Sequence, residues 1–234
     1  MADENPKQEI IELSSSGAIN PCTCITFLNE NLLCLSFGPW IHVTSINKIF
    51  SVGETAETIP FCLSNTHDVR KAPYRFLGFG SSKNNRVIHG MTKSKSNLNE
   101  DLFLIGVYGG RQLVFHEISV SSSYYISYFM RSKVFILPDW IHDLRLLNGL
   151  DIAYERESIV AVVCLAHNYI ETWNFPLLIK NQANRNQILF PTRLNRVICN
   201  LRCISYSMAF SEPSSILLVG MLRHLDLILK FITD

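Results

Sequence analysis

The sequence predicts an all-β fold built from about four copies of a small antiparallel sheet. Three observations carry this. Charge-free apolar runs recur, each followed by a turn and a second, alternating run, and β-branched residues dominate the one at 159–165. A further strand-like segment precedes each of these hairpins. No window longer than two turns keeps a 3.6-residue apolar period without a glycine, a proline or a β-branched cluster, which removes the helical alternative.

The first unit comprises a leading segment at 24–28, an apolar strand at 32–37, a Gly38-Pro39 turn and a returning strand at 40–43. In the second, 86–90 leads, 102–108 is the apolar run, and Gly109-Gly110 turns it into 113–115. The third has 140–147, then 159–165, which is uncharged and suits a strand buried on both faces. Its turn is Ala166-His167-Asn168, where Asn168 tolerates positive φ, and 169–173 returns with strict alternation. The fourth is 203–210, 216–220 and, less cleanly, 227–229.

Strand, loop, hairpin, loop in four copies is the layout of a partial β-propeller. Ile41, Leu113, Ile170 and Leu227 mark the register of the returning strands. The steps between them exceed the ~40–45 residues of a WD-type blade, so polar insertions are expected at 44–85, 91–100, 119–137 and 176–200. Residues 1–18 read as a polar N-terminal segment and 19–234 as the partial propeller. The uncapped apolar stretch at 227–234 leads us to expect the front portion of a longer multi-propeller protein.

Of the 234 residues, 47% are hydrophobic, enough for a sizeable core, and a net charge of +1 makes any basic surface a local one. Seven cysteines without disulfide-scaffold spacing suit a reducing compartment. The acidic, polar start is unlike a secretory or mitochondrial leader. The longest apolar stretch, 216–232, is broken by Arg223, His224, Asp226 and Lys230, short of the ~20 residues a bilayer requires. A cytoplasmic chain with no membrane partner is expected.

PDWIHDLRLL at 138–147, followed by VAVVCLAHNYIETWNF at 160–175, resembles the N-terminal WD40-type propeller of the WD repeat-containing protein 6 family. That family supplies the regulatory subunit of the tRNA wobble-nucleotide 2′-O-methyltransferase. LFLIGVYGGRQLVFHEI at 102–118 is similar to the preceding blade, and RCISYSMAF with ILLVG, within 202–220, to the next. The resemblance covers residues 22–220 and is most specific in Asp-Trp-Ile-x-Asp at 139–143; after Gly220 the family's tight turn and closing tryptophan are lacking. It implies a non-catalytic subunit that binds the tRNA 2′-O-methyltransferase catalytic subunit and orients tRNA for it, an entropic contribution to catalysis by a partner. It implies no cofactor and no small-molecule substrate for the chain itself. The alternative is a WD-repeat scaffold for protein partners with no tRNA role.

Charge segregation bears on the RNA side. No acid lies between Asp68 and Glu100, where Lys83, Arg86, Lys93 and Lys95 stand, or between Glu171 and Glu212, where Arg185, Arg193 and Arg196 stand. These seven are the candidate RNA contacts, against the plainer reading of scattered solubilising cations. Trp140, Asp143, His167 and Trp173 are expected to be structural: Asp143 tying strands to turns by hydrogen bonds, the tryptophans packing in the core or between sheets, which their strand positions favour over stacking on bases.

The sequence assigns no catalytic or metal-binding residue. His142 and Asp143 are adjacent on a strand and point to opposite faces. GFGSSK at 78–83 lacks phosphate-loop spacing, and no serine sits in a nucleophile elbow. Cys22-Thr-Cys24 and Cys199-x3-Cys203 lack the usual zinc spacing.

Overall fold

The computed structural model describes residues 22–47, 66–70, 74–80, 86–95, 101–151, 156–167, 169–178, 190–198, 205–211, 216–221 and 227–230. The polar segment 1–18 lies outside them. Among the described residues the chain forms antiparallel sheets that follow one another in sequence.

The first sheet is a meander of β1 (Cys22–Asn29), β2 (Leu32–Phe37) and β3 (Trp40–Ser45). β4 (Thr66–Asp68) leaves it, and β5 (Tyr74–Leu77) returns to become its outer strand. The second sheet runs from β6 (Gly90–Lys95) through β7 (Leu102–Gly109) and β8 (Gln112–Val120) to β9 (Tyr125–Met130). β4 adds to the free edge of β9 and so pins the first sheet to the second. β10 (Phe135–Ile136) continues the edge of β8 beyond β9. Between them Ser132 Oγ accepts the Phe115 amide at 2.9 Å, filling the gap in the ladder.

The third sheet is β11 (Ile141–Asp151), β12 (Arg156–Leu165), β13 (Tyr169–Pro176) and β14 (Thr192–Ile198). The fourth is β15 (Ser205–Ser211), β16 (Ile216–Met221) and β17 (Leu227–Lys230). The first strands stand side by side: β1 beside β6, β6 beside β11, β11 beside β15.

Two cores follow from this stacking. Leu28, Val43, Tyr74, Phe76, Ile105, Val107, Val114 and Ile118 pack between the first and second sheets. Leu113, Phe115, Phe135, Leu144, Ala161, Val163 and Phe175 pack between the second and third. β8 sends alternate side chains into each core, so it is apolar on both faces. β1 differs. Cys24 and Leu28 turn toward the second sheet, while Ile25 and Phe27, on its other face, are 60% and 56% exposed.

The junctions between successive sheets repeat atom for atom. Gly38 O accepts the Ile88 amide at 2.8 Å and Pro39 O accepts the Gly78 amide at 2.9 Å. Gly110 O accepts the Ile141 amide at 2.8 Å and Arg111 O accepts the Leu137 amide at 2.9 Å. In each turn the first carbonyl thus binds the chain entering the next sheet, and the second binds the residue that follows an edge strand of its own sheet. Gly38 and Gly110 hold φ of 56° and 58°, the left-handed conformation that costs glycine least.

The hairpin pairing agrees with the register marks. Ile41 pairs with Ser36, Leu113 with Tyr108 and Ile170 with Cys164, equivalent places in their sheets. Leu227 pairs with Val219, one place further on.

Three expectations need correction. The first strand of the second sheet is Gly90–Lys95, not 86–90. Val87-Ile88 resembles a strand in sequence, but the Ile88 amide is taken by Gly38 and the His89 amide by Tyr108 O at 2.9 Å, so the ladder starts only at Gly90. Its turn is Gly110-Arg111, not Gly109-Gly110, because Gly109 still pairs with Gln112. The stretches expected as insertions hold ladder strands: β4 and β5 within 44–85, β6 reaching into 91–100, β9 and β10 within 119–137, and β14 within 176–200. Polar or exposed residues on one face hid β5 and β9, and β14 is exposed along most of its length.

Candidate nucleic-acid interface

The hairpin turns and the links entering the first strands lie together on one rim. Two links carry the same device. His89 precedes β6, and its Nδ1 accepts the Gly110 amide at 3.3 Å from the turn of its own sheet. Asp139 precedes β11, and its Oδ2 accepts the His167 amide at 3.0 Å, again from the turn of its own sheet. Asp139 Oδ2 also accepts a hydrogen bond from His167 Nδ1, and Oδ1 accepts the Trp140 amide at 2.8 Å. Burial opposes ionisation of Asp139, but these bonds outweigh it and hold the carboxyl below its ordinary range. The tie between strand and turn expected of Asp143 is therefore made by Asp139, with His167 as its partner.

Asp143 ties sheet to sheet. Its Oδ2 accepts the Met208 amide at 2.6 Å and pairs with Arg145 Nη2 at 3.1 Å, while Arg145 Nε donates to Met208 O at 2.6 Å. One residue of β15 is held by both its main-chain groups. Cys24 stands at the equivalent place in β1, and its sulfur accepts the Met91 amide of β6 at 3.2 Å. The equivalent place in β6 is Gly90, where an added Cβ would lie 2.3 Å from the Tyr108 ring; Tyr108 fills the space and donates to His142 O at 3.2 Å. A shift of register between Ile141 and Asp143 marks a bulge at His142, which breaks the simple face alternation assumed for that pair.

The tryptophans divide. Trp173 is partly buried, stacks on Phe175 with centroids 6.1 Å apart, and donates to Glu171 Oε2 at 2.7 Å, in keeping with a packing role. Trp140, expected to pack, is 54% exposed, its ring 5.9 Å from that of His89. Its sequence looks strand-like, but it precedes β11 and stands on the rim.

Of the seven basic candidates, Lys83 and Arg185 lie outside the described residues, as does the side chain of Lys95. Arg86 is exposed on the rim, its guanidinium 3.3 Å from where a Gly110 Cβ would stand. Lys93, further along β6, donates to Leu28 O at 2.8 Å and lies 5.9 Å from the Phe103 ring centroid. Arg193 and Arg196 are on β14, at the far side of the third sheet. Both pair with Glu171, a fully buried carboxylate on β13, Arg193 at 3.4 Å and Arg196 at 2.5 Å, and Arg196 also lies over Tyr169. The structure thus separates Arg86 from Arg193 and Arg196, and gives the latter two a folding role that sequence reasoning missed. The signal was present: Glu171 alternates into the buried face of a strand, where a charge demands partners.

Among the described residues no three His, Cys, Asp or Glu side chains stand close enough to hold a metal ion. Cys34 and Cys164 are buried within strands, and burial pushes the Cys34 thiol far above its usual range. No helix among the described residues is long and apolar enough to cross a membrane. The sequence matches no family model and no curated protein.

Proposed function

We propose that this chain is a partial WD40-type β-propeller of about four degenerate blades that works as a non-catalytic interaction subunit. It binds the tRNA 2′-O-methyltransferase catalytic subunit in the cytoplasm and helps to position tRNA for ribose methylation at the wobble nucleotide. The observation that carries the platform reading is the repeated junction, in which Gly38 and Gly110 bind the strand entries of the next sheet. Sheets joined this way are successive copies of one unit around a shared side, and such units present their turns as a common surface. The exposed Ile25 and Phe27 face of the first sheet suits a further unit packing there.

The resemblance at 102–118, 138–147 and 160–175 supports the tRNA side of the reading. So does the rim's chemistry, in which Arg86, Arg111 and His89 are exposed and Asp139 is engaged by His167. Physically the task is orientation: a flexible anticodon stem held against a partner enzyme reacts as if at higher effective concentration.

A second reading, a scaffold for protein partners alone, is favoured by Phe190, Leu194 and Ile198, all exposed on or beside β14. Affinity purification of the chain from cell extract, with identification of bound protein and RNA, separates the two. Recovery of a methyltransferase together with tRNA supports the first; protein partners without either support the second.

A further inference from the structure

We infer that the rim around Trp140 is a stacking platform for an unpaired nucleobase of bound RNA. This deepens the tRNA reading and rests on it.

Trp140 exposes more than half its surface although its main chain is fixed on both sides. Its amide binds Asp139 Oδ1, and its carbonyl accepts the Ala166 amide at 2.9 Å. A large indole on an anchored backbone loses little conformational entropy when it takes a ligand, the condition under which an exposed ring binds well. The neighbouring ring is His89, whose Nδ1 accepts from Gly110, so in the neutral ring Nε2 carries the proton. The two ring planes diverge by 31°. Trp140 therefore offers a π-face beside an imidazole that donates a hydrogen bond.

Charge completes the site. Arg86 leans over Gly110, the same residue that holds His89 and, through its carbonyl, the amide of Ile141 next to Trp140. Arg111 follows Gly110 and is anchored by Nε to Leu137 O at 2.7 Å while remaining exposed. The acid at the centre, Asp139, is occupied by His167. Two exposed guanidinium groups on the rim that carries an exposed aromatic ring match a nucleotide: the base on the ring, its flanking phosphates on the arginines. RNA is favoured because a nucleotide supplies together the counter-charge for the arginines and a flat base for the exposed Trp140 ring.

The test uses the full chain and measures fluorescence anisotropy of a labelled single-stranded oligouridylate and of tRNA, with methyltransferase co-purification scored in parallel. Trp140→Ala is expected to weaken oligouridylate binding about ten-fold or more, Trp140→Phe to restore most of it, and Arg86→Ala to flatten the salt dependence. Unchanged thermal midpoints show that the variants fold. If tRNA binds and Trp140→Ala leaves both affinities unchanged, the platform is wrong and the tRNA reading stands. If Trp140→Ala abolishes methyltransferase recovery but not RNA binding, the rim is a protein contact and the platform is equally wrong. If the unmodified chain binds neither RNA, both readings fall.

Discussion

Asp143 on β11 holds the amide of Met208 on β15 at 2.6 Å, and with Arg145 it closes on both main-chain groups of that residue. A strand edge is thereby recognised by side chains from the adjoining sheet instead of by another strand. Removing the carboxylate leaves a buried amide without its acceptor and the Arg145 guanidinium without its counter-charge. Asp143→Ala should cost about 1–3 kcal/mol and loosen the fourth sheet before the others. Amide hydrogen exchange across Ser205–Ser211 checks this; protection equal to that of the unmodified chain would count against the clamp.

Glu171 carries a larger share of stability. It is fully buried and ligated by Trp173, Arg193 and Arg196, and removing one side of a buried ion pair strands the other. Glu171→Ala should destabilise the chain by about 3–5 kcal/mol in chemical denaturation. Charge reversal at Arg193 or Arg196 should also lower stability, so an RNA effect at those positions must be read against the denaturation midpoint. Equal midpoints for Glu171→Ala and the unmodified chain would refute the assignment.

Acid should unfold the protein early. Burial, with the nearby Arg75 guanidinium, lowers His42 to about 4, and burial lowers His116 to about 4, although its Nε2 bond to Gly78 O works the other way. His116 Nδ1 has no hydrogen-bond partner, so a proton there would be a buried, uncompensated charge. Unfolded histidine protonates near 6.5. Between about 4 and 6.5 the unfolded chain binds more protons than the folded one. Stability is therefore full above that window and falls with pH through it, by about 1.4 kcal/mol per unit for each histidine. Thermal midpoints at a series of pH values test the sign, and a rise or a plateau on acidification contradicts it.

Gly90 and Tyr108 are a matched pair. A Cβ at Gly90 would overlap the Tyr108 ring at 2.3 Å, and the ring is buried between sheets, so it cannot easily withdraw. Gly90→Ala should cost about 1–3 kcal/mol by overpacking. In a Tyr108→Leu background the same change should cost less, a coupling that a double-mutant cycle measures. Strict additivity would mean that the two do not share the space.

The hairpins were legible because their apolar runs are buried on both faces, as in β7, β8 and β12, and such runs have few alternatives in sequence. The outer strands were not. β9 and β14 bury at most one face, so their exposed polar residues resemble loops until the ladder is seen. β4 was beyond reach for another reason: three residues pairing with a different sheet leave no periodic trace. Among the site residues, His167 sits in the turn held by Asp139, and Trp173 stacks on Phe175. Trp140 reads as a packing residue in sequence because residue type alone cannot separate a strand interior from the link just before it. Asp139 and Asp143 sit in one short motif, and only the bulge at His142 decides which faces the turn and which the next sheet.

As proposed, this chain accelerates another enzyme's reaction by orientation and performs no chemistry itself. The decisive measurement is methyl transfer to the wobble ribose of tRNA by the methyltransferase catalytic subunit, with and without the full chain. No transfer by the chain alone, and a higher kcat/KM for tRNA when it is added, are expected. An unchanged kcat/KM, with no complex formed between chain and methyltransferase, would overturn the proposal.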